Sequence, residues 1–94
     1  MTHQVIHHPG KQRFELTHGP GPPATLTYHT TADTTIIDHT FVPTHLRGHG
    51  IAAILTHHAL LEARRLRWKI IPDCSYVETY ILKNPEFQAL LHTP

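Results

Sequence analysis

The segment at residues 42–52 constrains the fold of this chain more than any other. It joins a run rich in threonine and apolar residues at 35–42 to a second apolar run at 51–66, with two glycines just before the second run. β-Branched residues favour strands. The second run has apolar residues at helical spacing: Ile51, Leu55, Ala59 and Ala63. The segment thus predicts a strand that turns directly into a helix.

Gly48 and Gly50 lie where a helix start can hold an anion. The first N–H groups of a helix lack intrahelical partners, the helix dipole adds partial positive charge, and glycine lets a ligand approach closely. The dinucleotide motif G-x-G-x-x-G would need glycine where Ala53 stands, and the Gly-Lys-Ser/Thr ending of a P-loop is absent. We interpret the turn as a phosphate site of another kind. A plain connecting turn is the alternative.

The composition indicates one globular domain, residues 1–94. The chain is 39% hydrophobic and 16% charged, which separates it from disordered proteins. It has no apolar run that could span a bilayer and no signal-peptide pattern, so we expect a cytoplasmic protein without a membrane partner. The formal net charge of +1 argues against a nucleic-acid partner. Three arginines lie in or just past the last turn of the predicted helix, where their positive charge favours the helix C-terminus: Arg64, Arg65 and Arg67.

Eleven histidines and one cysteine dominate the reactive side chains. The histidines are scattered and form no H-E-x-x-H or Cys/His pattern, so we predict no metal site. We interpret most of them as surface or turn residues. Cys74 has no disulfide partner, and its reactivity depends on the pKa of its thiol.

Hydrophobic alternation predicts three strands before the glycine turn. The alternating runs lie at residues 3–8, 12–18 and 24–31, and they are separated by Pro9-Gly10 and by the proline- and glycine-rich run at 19–23. Short connections of this kind predict an antiparallel meander.

The chain beyond the helix predicts a βαβ unit and a short last helix. Residues 68–71 form a short apolar run that should pair in parallel with the strand at 35–42, because a crossover helix joins them. Residues 76–82 fit either a helix or an extended segment. Asn84 and Pro85 suit the N-cap and first position of a final helical turn. The predicted fold class is α+β.

Several of these residues together resemble a known family. Arg47, Gly50 and Ala52 match the [Q/R]-x-x-G-x-[G/A] signature of the GNAT superfamily of N-acetyltransferases, and the runs at 70–77 and 84–87 extend the match over nearly the whole chain. The chain resembles the minimal, single-domain branch of that superfamily. The resemblance implies a GNAT-like fold, acetyl-CoA as co-substrate, and acetyl transfer to a primary amine of a small molecule or a protein.

The resemblance also implies where acetyl-CoA binds. The backbone N–H groups of the glycine turn would hold the pyrophosphate, and the end of the preceding strand would lie along the pantetheine arm and polarise the thioester carbonyl. Asn84 stands where a histidine is frequent in this branch, and its amide offers hydrogen bonds to the cofactor. The expected cofactor-binding residues are Phe41, Val42, Arg47, Gly48, His49, Gly50, Ile51, Ala52 and Asn84.

The general base is an open question, because Phe41 stands where many members of this branch carry glutamate. Amine acetylation at neutral pH calls for a base. Alternation along the strand places Ile37, His39 and Phe41 on one face, with Ile36, Asp38, Thr40 and Val42 on the other. We therefore predict His39 as the first substitute and His45 as the second, while a structural histidine is the alternative for His39.

Cys74 follows the second strand of the βαβ unit, near the expected acyl group. It would protonate the departing coenzyme A thiolate, accept the acetyl group itself, or simply be a small buried residue. A nucleophile needs a lowered pKa, for which we expect only a histidine to supply positive charge. Tyr76 and Tyr80 are rival acids. A coenzyme A-binding module of the same fold without useful catalysis is the alternative function.

Overall fold

A computed structural model, which describes residues 4–92, shows one sheet and two α-helices. The strands are Gln4–His8 (β1), Arg13–Thr17 (β2), Ala24–Thr31 (β3), Thr34–Phe41 (β4) and Lys69–Pro72 (β5). The helices are Ile51–Leu66 (α1) and Ser75–Lys83 (α2), and 3₁₀ segments span Pro9–Lys11, Thr44–Leu46 and Pro85–Leu90. Residue 3, which we predicted within the first strand, lies outside the described residues.

The five strands form one sheet in chain order. β1 to β4 are antiparallel neighbours, whereas β5 runs parallel to β4. The antiparallel order of β1 to β4 confirms the predicted meander. Since α1 connects the parallel strands β4 and β5, the predicted βαβ unit is confirmed as well. The predicted last helical turn is present as the 3₁₀ segment.

The core lies between one face of the sheet and the helices. Alternate residues of the strands are buried there and share one apolar cluster with α1 and α2, including Phe14, Leu26, Tyr28, Leu55 and Val77. The other face has exposed apolar side chains, among them Ile6, Phe41 and Ile71. The sheet thus has one covered face and one uncovered face.

The amphipathic pattern of α1 matches its packing. All four residues of the predicted stripe are buried, and Leu60 joins them. Arg67 is the C-cap of the helix, and its left-handed backbone (φ 60°) lets its N–H reach the carbonyls of Ala63 and Arg64. Trp68 N–H also donates to Ala63 O, with 2.9 Å between nitrogen and oxygen. These bonds close the C-terminus of the helix.

The ambiguous segment after β5 is a helix, α2. Its residues include β-formers such as tyrosine, valine, isoleucine and threonine, which explains why the sequence did not decide its structure. Val77 and Ile81 are buried and lie one helical turn apart, so packing against the core selects the helix. Within residues 4–92, no helix is long and apolar enough to cross a membrane.

A β-bulge in β4 overturns our assignment of the strand faces. Tyr28 lies opposite Ile37 while Thr27 lies opposite His39, so the backbone pairing of the two strands skips Asp38. One extra residue reverses the alternation beyond it. Ile37 is buried against the helices, whereas His39 and Phe41 are exposed on the uncovered face. The prediction that these three residues share a face was wrong.

The same bulge corrects the other half of that assignment. Thr40 lies opposite the buried Leu26 and therefore points to the covered face. Ile36 lies opposite His29 on the uncovered face. Ile36 and Thr40 were predicted to share a face, and they do not.

Candidate functional site

The turn from β4 to α1 uses backbone conformations that require glycine. Gly48 and Gly50 have φ angles of 85° and 69°. Residues with a Cβ disfavour this left-handed region. A Cβ built on either glycine would meet nothing within 4 Å. Conformation rather than internal crowding therefore selects glycine here, and the space in front of the turn is open.

The start of α1 presents backbone N–H groups without intrahelical partners. Gly50 is the N-cap, no side chain caps the helix, and its first turn has no acidic residue. Ile54 N–H is bonded to Gly50 O (3.1 Å), which leaves the N–H groups of residues 51–53 beyond reach of any helical carbonyl. Together with the helix dipole, these groups favour an anionic ligand.

A cavity of about 240 Å³ lies against this helix start. Tyr76 from α2 lines it opposite the glycine turn, and Leu46 and Ala53 also contribute. Six of the nine residues predicted to bind the cofactor line the cavity: Val42, Arg47, Gly48, Gly50, Ile51 and Ala52. The structure thus brings most of the predicted binding set together around one space.

Arg47 lines the cavity from its rim, whereas the three remaining predicted binding residues do not line it. Arg47 is exposed, and its Nε donates to Val42 O (3.1 Å), which fixes the guanidinium at the rim. Phe41 and His49 are exposed and do not line the cavity. Asn84 follows α2 and donates from its side chain to Tyr80 O (2.8 Å), so it does not cap the 3₁₀ segment that it precedes.

β4 and β5 separate next to this cavity. Their pairing ends where Ile37 lies opposite Pro72. The chain then leaves the sheet, and Cys74 N–H donates to Ile37 O (3.0 Å). Residues 38–41 of β4 therefore have no partner in β5. A gap between the two strands opens at the end of β4, where Val42 leads into the cavity.

Cys74 is half-buried at the N-cap of α2, with Sγ 3.6 Å from Thr40 Oγ1. Burial raises the pKa of the thiol. Hydrogen bonds from Val77 N–H, the Thr40 hydroxyl and the N–H groups of Tyr76 and Thr40 outweigh burial, so the pKa lies below its ordinary value. N–H groups at a helix N-terminus thus help to lower the pKa of the thiol, whereas from the sequence we considered only histidines as the source of positive charge.

Two tyrosines follow Cys74 along α2. Tyr76 is 39% exposed, and burial of its ring raises the pKa of its hydroxyl. It stacks on Tyr80, with 6.4 Å between ring centroids. The Tyr80 hydroxyl lies 3.3 Å from His57 Nδ1. Burial, then the neighbouring Tyr76 and Glu86, raise the pKa of Tyr80. Tyr76 is therefore the tyrosine that both lines the cavity and keeps its proton at neutral pH.

The two predicted base histidines are set apart from Cys74. His39 is exposed on the uncovered face, where its carbonyl accepts a bond from the Thr27 hydroxyl (3.4 Å). Cys74 contacts Thr40 on the covered face. The ring of His45 packs over Gly21, where a Cβ would lie 3.0 Å from it. The structure places His39 and Cys74 on opposite faces beside the same gap.

Sequence reasoning missed Thr40 as a partner of Cys74. Strict alternation placed Thr40 on the face away from Ile37, and the bulge that turns it inward has no clear signal in the sequence.

No group of three His, Cys, Asp or Glu side chains in the described part of the chain could hold a metal ion.

Comparisons with known proteins agree with this architecture. A protein-family model described as GCN5-related N-acetyl-transferase matches residues 13–90. The solution structure of a GCN5-like protein from Staphylococcus aureus is similar to this chain with a TM-score of 0.73. It is 24% identical, and the match covers 97% of this chain and 89% of that one. The structural likeness confirms the α+β GNAT-like fold, and the family match confirms the resemblance. This chain belongs to the GCN5-related N-acetyltransferase family.

Proposed function

We propose that the protein transfers an acetyl group from acetyl-CoA to a primary amine. The observation that carries this proposal is the uncapped start of α1, which faces an open cavity beside the gap between β4 and β5. The N–H groups of residues 51–53 and of the glycine turn suit the pyrophosphate of coenzyme A, and Arg47 adds positive charge at the rim. The acceptor is a small amine or a protein amine.

The thioester is assigned to the end of β4. The backbone of Phe41 and Val42 lies beside the unpaired stretch of the strand, so an N–H there is free to polarise the thioester carbonyl as in an oxyanion hole. Such a role depends on the backbone. It is therefore compatible with the exposed ring of Phe41, which points away from the covered face.

Direct transfer needs one proton acceptor and one proton donor. The amine nitrogen attacks the carbonyl carbon, the carbon–sulfur bond breaks, the amine loses a proton, and the departing thiolate gains one. Tyr76 suits the donor role because it lines the cavity and its pKa is raised. His39 is our candidate acceptor, since an amine that enters from the uncovered face meets its imidazole beside the gap.

Cys74 supports a second, covalent route. A thiolate attacks the thioester carbonyl, coenzyme A leaves, and the amine then takes the acetyl group from the cysteine sulfur. The lowered pKa of the thiol favours this route. Mass spectrometry after mixing the protein with acetyl-CoA alone separates the two routes, because only the covalent one leaves an acetyl group on Cys74.

The first experiment measures the melting temperature with and without acetyl-CoA in two matched variants, Gly50→Asp and Gly19→Asp. Both glycines have positive φ and open space around them, so the strain from substitution is similar, but only Gly50 lies at the helix start. A ligand at a hundredfold excess over Kd stabilises the folded state by about 2.7 kcal/mol.

We expect wild type and Gly19→Asp to melt several degrees higher with acetyl-CoA, and Gly50→Asp to show no increase over its own baseline. No shift in wild type at millimolar acetyl-CoA would overturn both acetyl transfer and coenzyme A binding. An equal shift in both variants would place the ligand elsewhere.

The alternative function is a coenzyme A-binding module without useful catalysis, which the absence of glutamate at Phe41 favours. His39→Ala and Tyr76→Phe distinguish the two functions. In an enzyme, these changes should lower kcat by about a hundredfold or more while Kd for acetyl-CoA changes little. No detectable turnover in wild type across small amines and protein substrates, with a clear thermal shift, would favour the module.

A further inference from the structure

The two edges of the sheet are protected to different degrees. Along β5, Leu91 forms a bridge with Ile70, His92 N–H donates to Ile70 O (2.8 Å), and the strand itself contains Lys69 and Pro72. The outer edge of β1 has no partner strand among residues 4–92. β1 contains no lysine, acidic residue or proline. Those are the residue types that usually keep a free edge from pairing.

A groove of about 350 Å³ separates this free edge from α1. Val5 and His7, two residues apart on β1, point into it, and Phe14 forms part of its floor. α1 contributes one helix face with spacings of three, four and seven residues: His58, Leu61, Glu62 and Arg65. The groove has a strand edge on one side and a helix on the other.

Side-chain contacts hold the floor of the groove in place. His7 stacks on Phe14, with 4.1 Å between ring centroids and 8° between planes. Its Nε2 lies 2.5 Å from the Tyr28 hydroxyl, and its Nδ1 lies 3.4 Å from Glu62 Oε2. The side chain of His7 is only 13% exposed. A ligand would therefore meet a preformed floor and pay little to order it.

The polar atoms left open at the rim favour an anion. Glu62 is engaged twice, by His7 and by Arg65 Nε (2.6 Å). The hydrogen bond from Arg65 is the largest cause that lowers the pKa of Glu62, so this carboxylate stays ionised and paired. The terminal N–H groups of Arg65 take part in neither of these bonds, and they lie on the same helix face as Leu61, which is 40% exposed.

We propose that the groove between β1 and α1 binds an extended acidic peptide, which adds to the free edge of β1 as a further strand. Two of its side chains, two positions apart, would face the groove. One is apolar and packs on Val5 and Leu61. The other is a carboxylate that binds the terminal N–H groups of Arg65. This binding site is independent of the acetyltransferase function.

The test is an NMR titration of the labelled protein with capped threonine-rich peptides that carry valine and glutamate two positions apart, in both orders. We expect amide shifts along β1 and around Leu61 and Arg65, with Kd in the millimolar range or below. A peptide with lysine in place of glutamate should bind about tenfold more weakly or worse. A peptide N-methylated on the edge that pairs with β1 should not bind.

Arg65→Gln should weaken binding of the glutamate peptide about tenfold, while Lys69→Gln, which removes the same charge at the opposite edge of the sheet, should leave it unchanged. Absence of shifts with both peptides at millimolar concentration would overturn the proposal. So would equal binding of the N-methylated peptide, or shifts confined to the glycine turn. Concentration-dependent shifts of β1 without any peptide would instead assign the edge to a second copy of the chain.

Discussion

Both ends of α1 have a cap residue in the left-handed backbone conformation, but their surroundings differ. At the N-terminus, Gly50 has a left-handed conformation, no side chain caps the helix, and a cavity lies in front of the free N–H groups. At the C-terminus, Arg67 has a left-handed conformation too, but its N–H and that of Trp68 bond to helix carbonyls. The N–H groups at one end are bonded within the protein, whereas those at the other end face an open cavity.

This difference suggests separate roles for the two helix ends, one in stability and one in ligand binding. An arginine in the left-handed region is strained, yet the closed end tolerates it because of the hydrogen bonds to helix carbonyls and the aromatic packing of the next residue, Trp68. Trp68 lies 4.9 Å from the ring of Tyr28 and 6.4 Å from that of Phe14. The open end has glycine and no such packing. We infer that stability is concentrated at the C-terminal end of α1 and ligand binding at the N-terminal end.

Removal of the aromatic packing near the closed end should have the largest effect. Phe14→Ala deletes a ring that is 2% exposed, and such changes cost about 3–5 kcal/mol of unfolding free energy. Urea denaturation measures this loss. Phe41→Ala is the matched control, because its ring is 44% exposed, and it should cost about 1 kcal/mol or less. Equal losses in the two variants would contradict the comparison.

Exchange of residue types at the two helix ends should have intermediate and opposite effects. Gly50→Ala should cost about 1–2 kcal/mol, because alanine is strained at positive φ. Arg67→Gly should be neutral or stabilise by up to about 1 kcal/mol, since glycine relieves that strain. Thermal denaturation of both variants tests this, with Gly10→Ala as control. A stabilised Gly50→Ala would show that the turn does not require glycine.

The smallest effect is expected on the pKa of the Cys74 thiol. The pH dependence of the rate of alkylation by iodoacetamide measures this pKa. The wild-type pKa should lie below that of a free cysteine. Thr40→Val should raise it by removing one hydrogen bond that lowers it, whereas Thr40→Ser should not. An unchanged pKa in Thr40→Val would remove Thr40 from the account.

The lowered pKa of Cys74 also makes a prediction about stability. A group whose pKa is lower in the folded state adds stability that is fully present above its unfolded pKa, about 8.5, and is lost as pH falls through the folded pKa. Wild type should therefore gain unfolding free energy relative to Cys74→Ser as pH rises through this range. A flat difference between the two proteins would contradict the lowered pKa.

Most of the fold could be predicted from the sequence, because its signals are local. Alternation marks β1 to β3, prolines and glycines mark the connections, and the stripe from Ile51 to Ala63 marks α1. The segment that became α2 could not be assigned, because its tyrosine, valine and isoleucine residues suit a strand locally. Only contact of Val77 and Ile81 with the core decides for a helix.

The geometry of the candidate site was predictable where it depends on the backbone and much less where it depends on side chains. The glycine turn follows from a short motif, and the cavity lies there. The face of His39, the contact of Thr40 with Cys74 and the groove beside β1 all depend on tertiary structure. A one-residue bulge or the unpaired state of an edge strand leaves no periodic trace in a single sequence.

The bulge at Asp38 gives β4 two independent halves. Before it, Thr35 and Ile37 face the helices, and changes there would disturb the core. Beyond it, His39 and Phe41 face solvent, so their side chains can vary while the backbone at the gap keeps its path. Side chains at the end of the strand can therefore be substituted without a loss of core packing. This arrangement offers a physical reason why the strand can carry an exposed phenylalanine at its end.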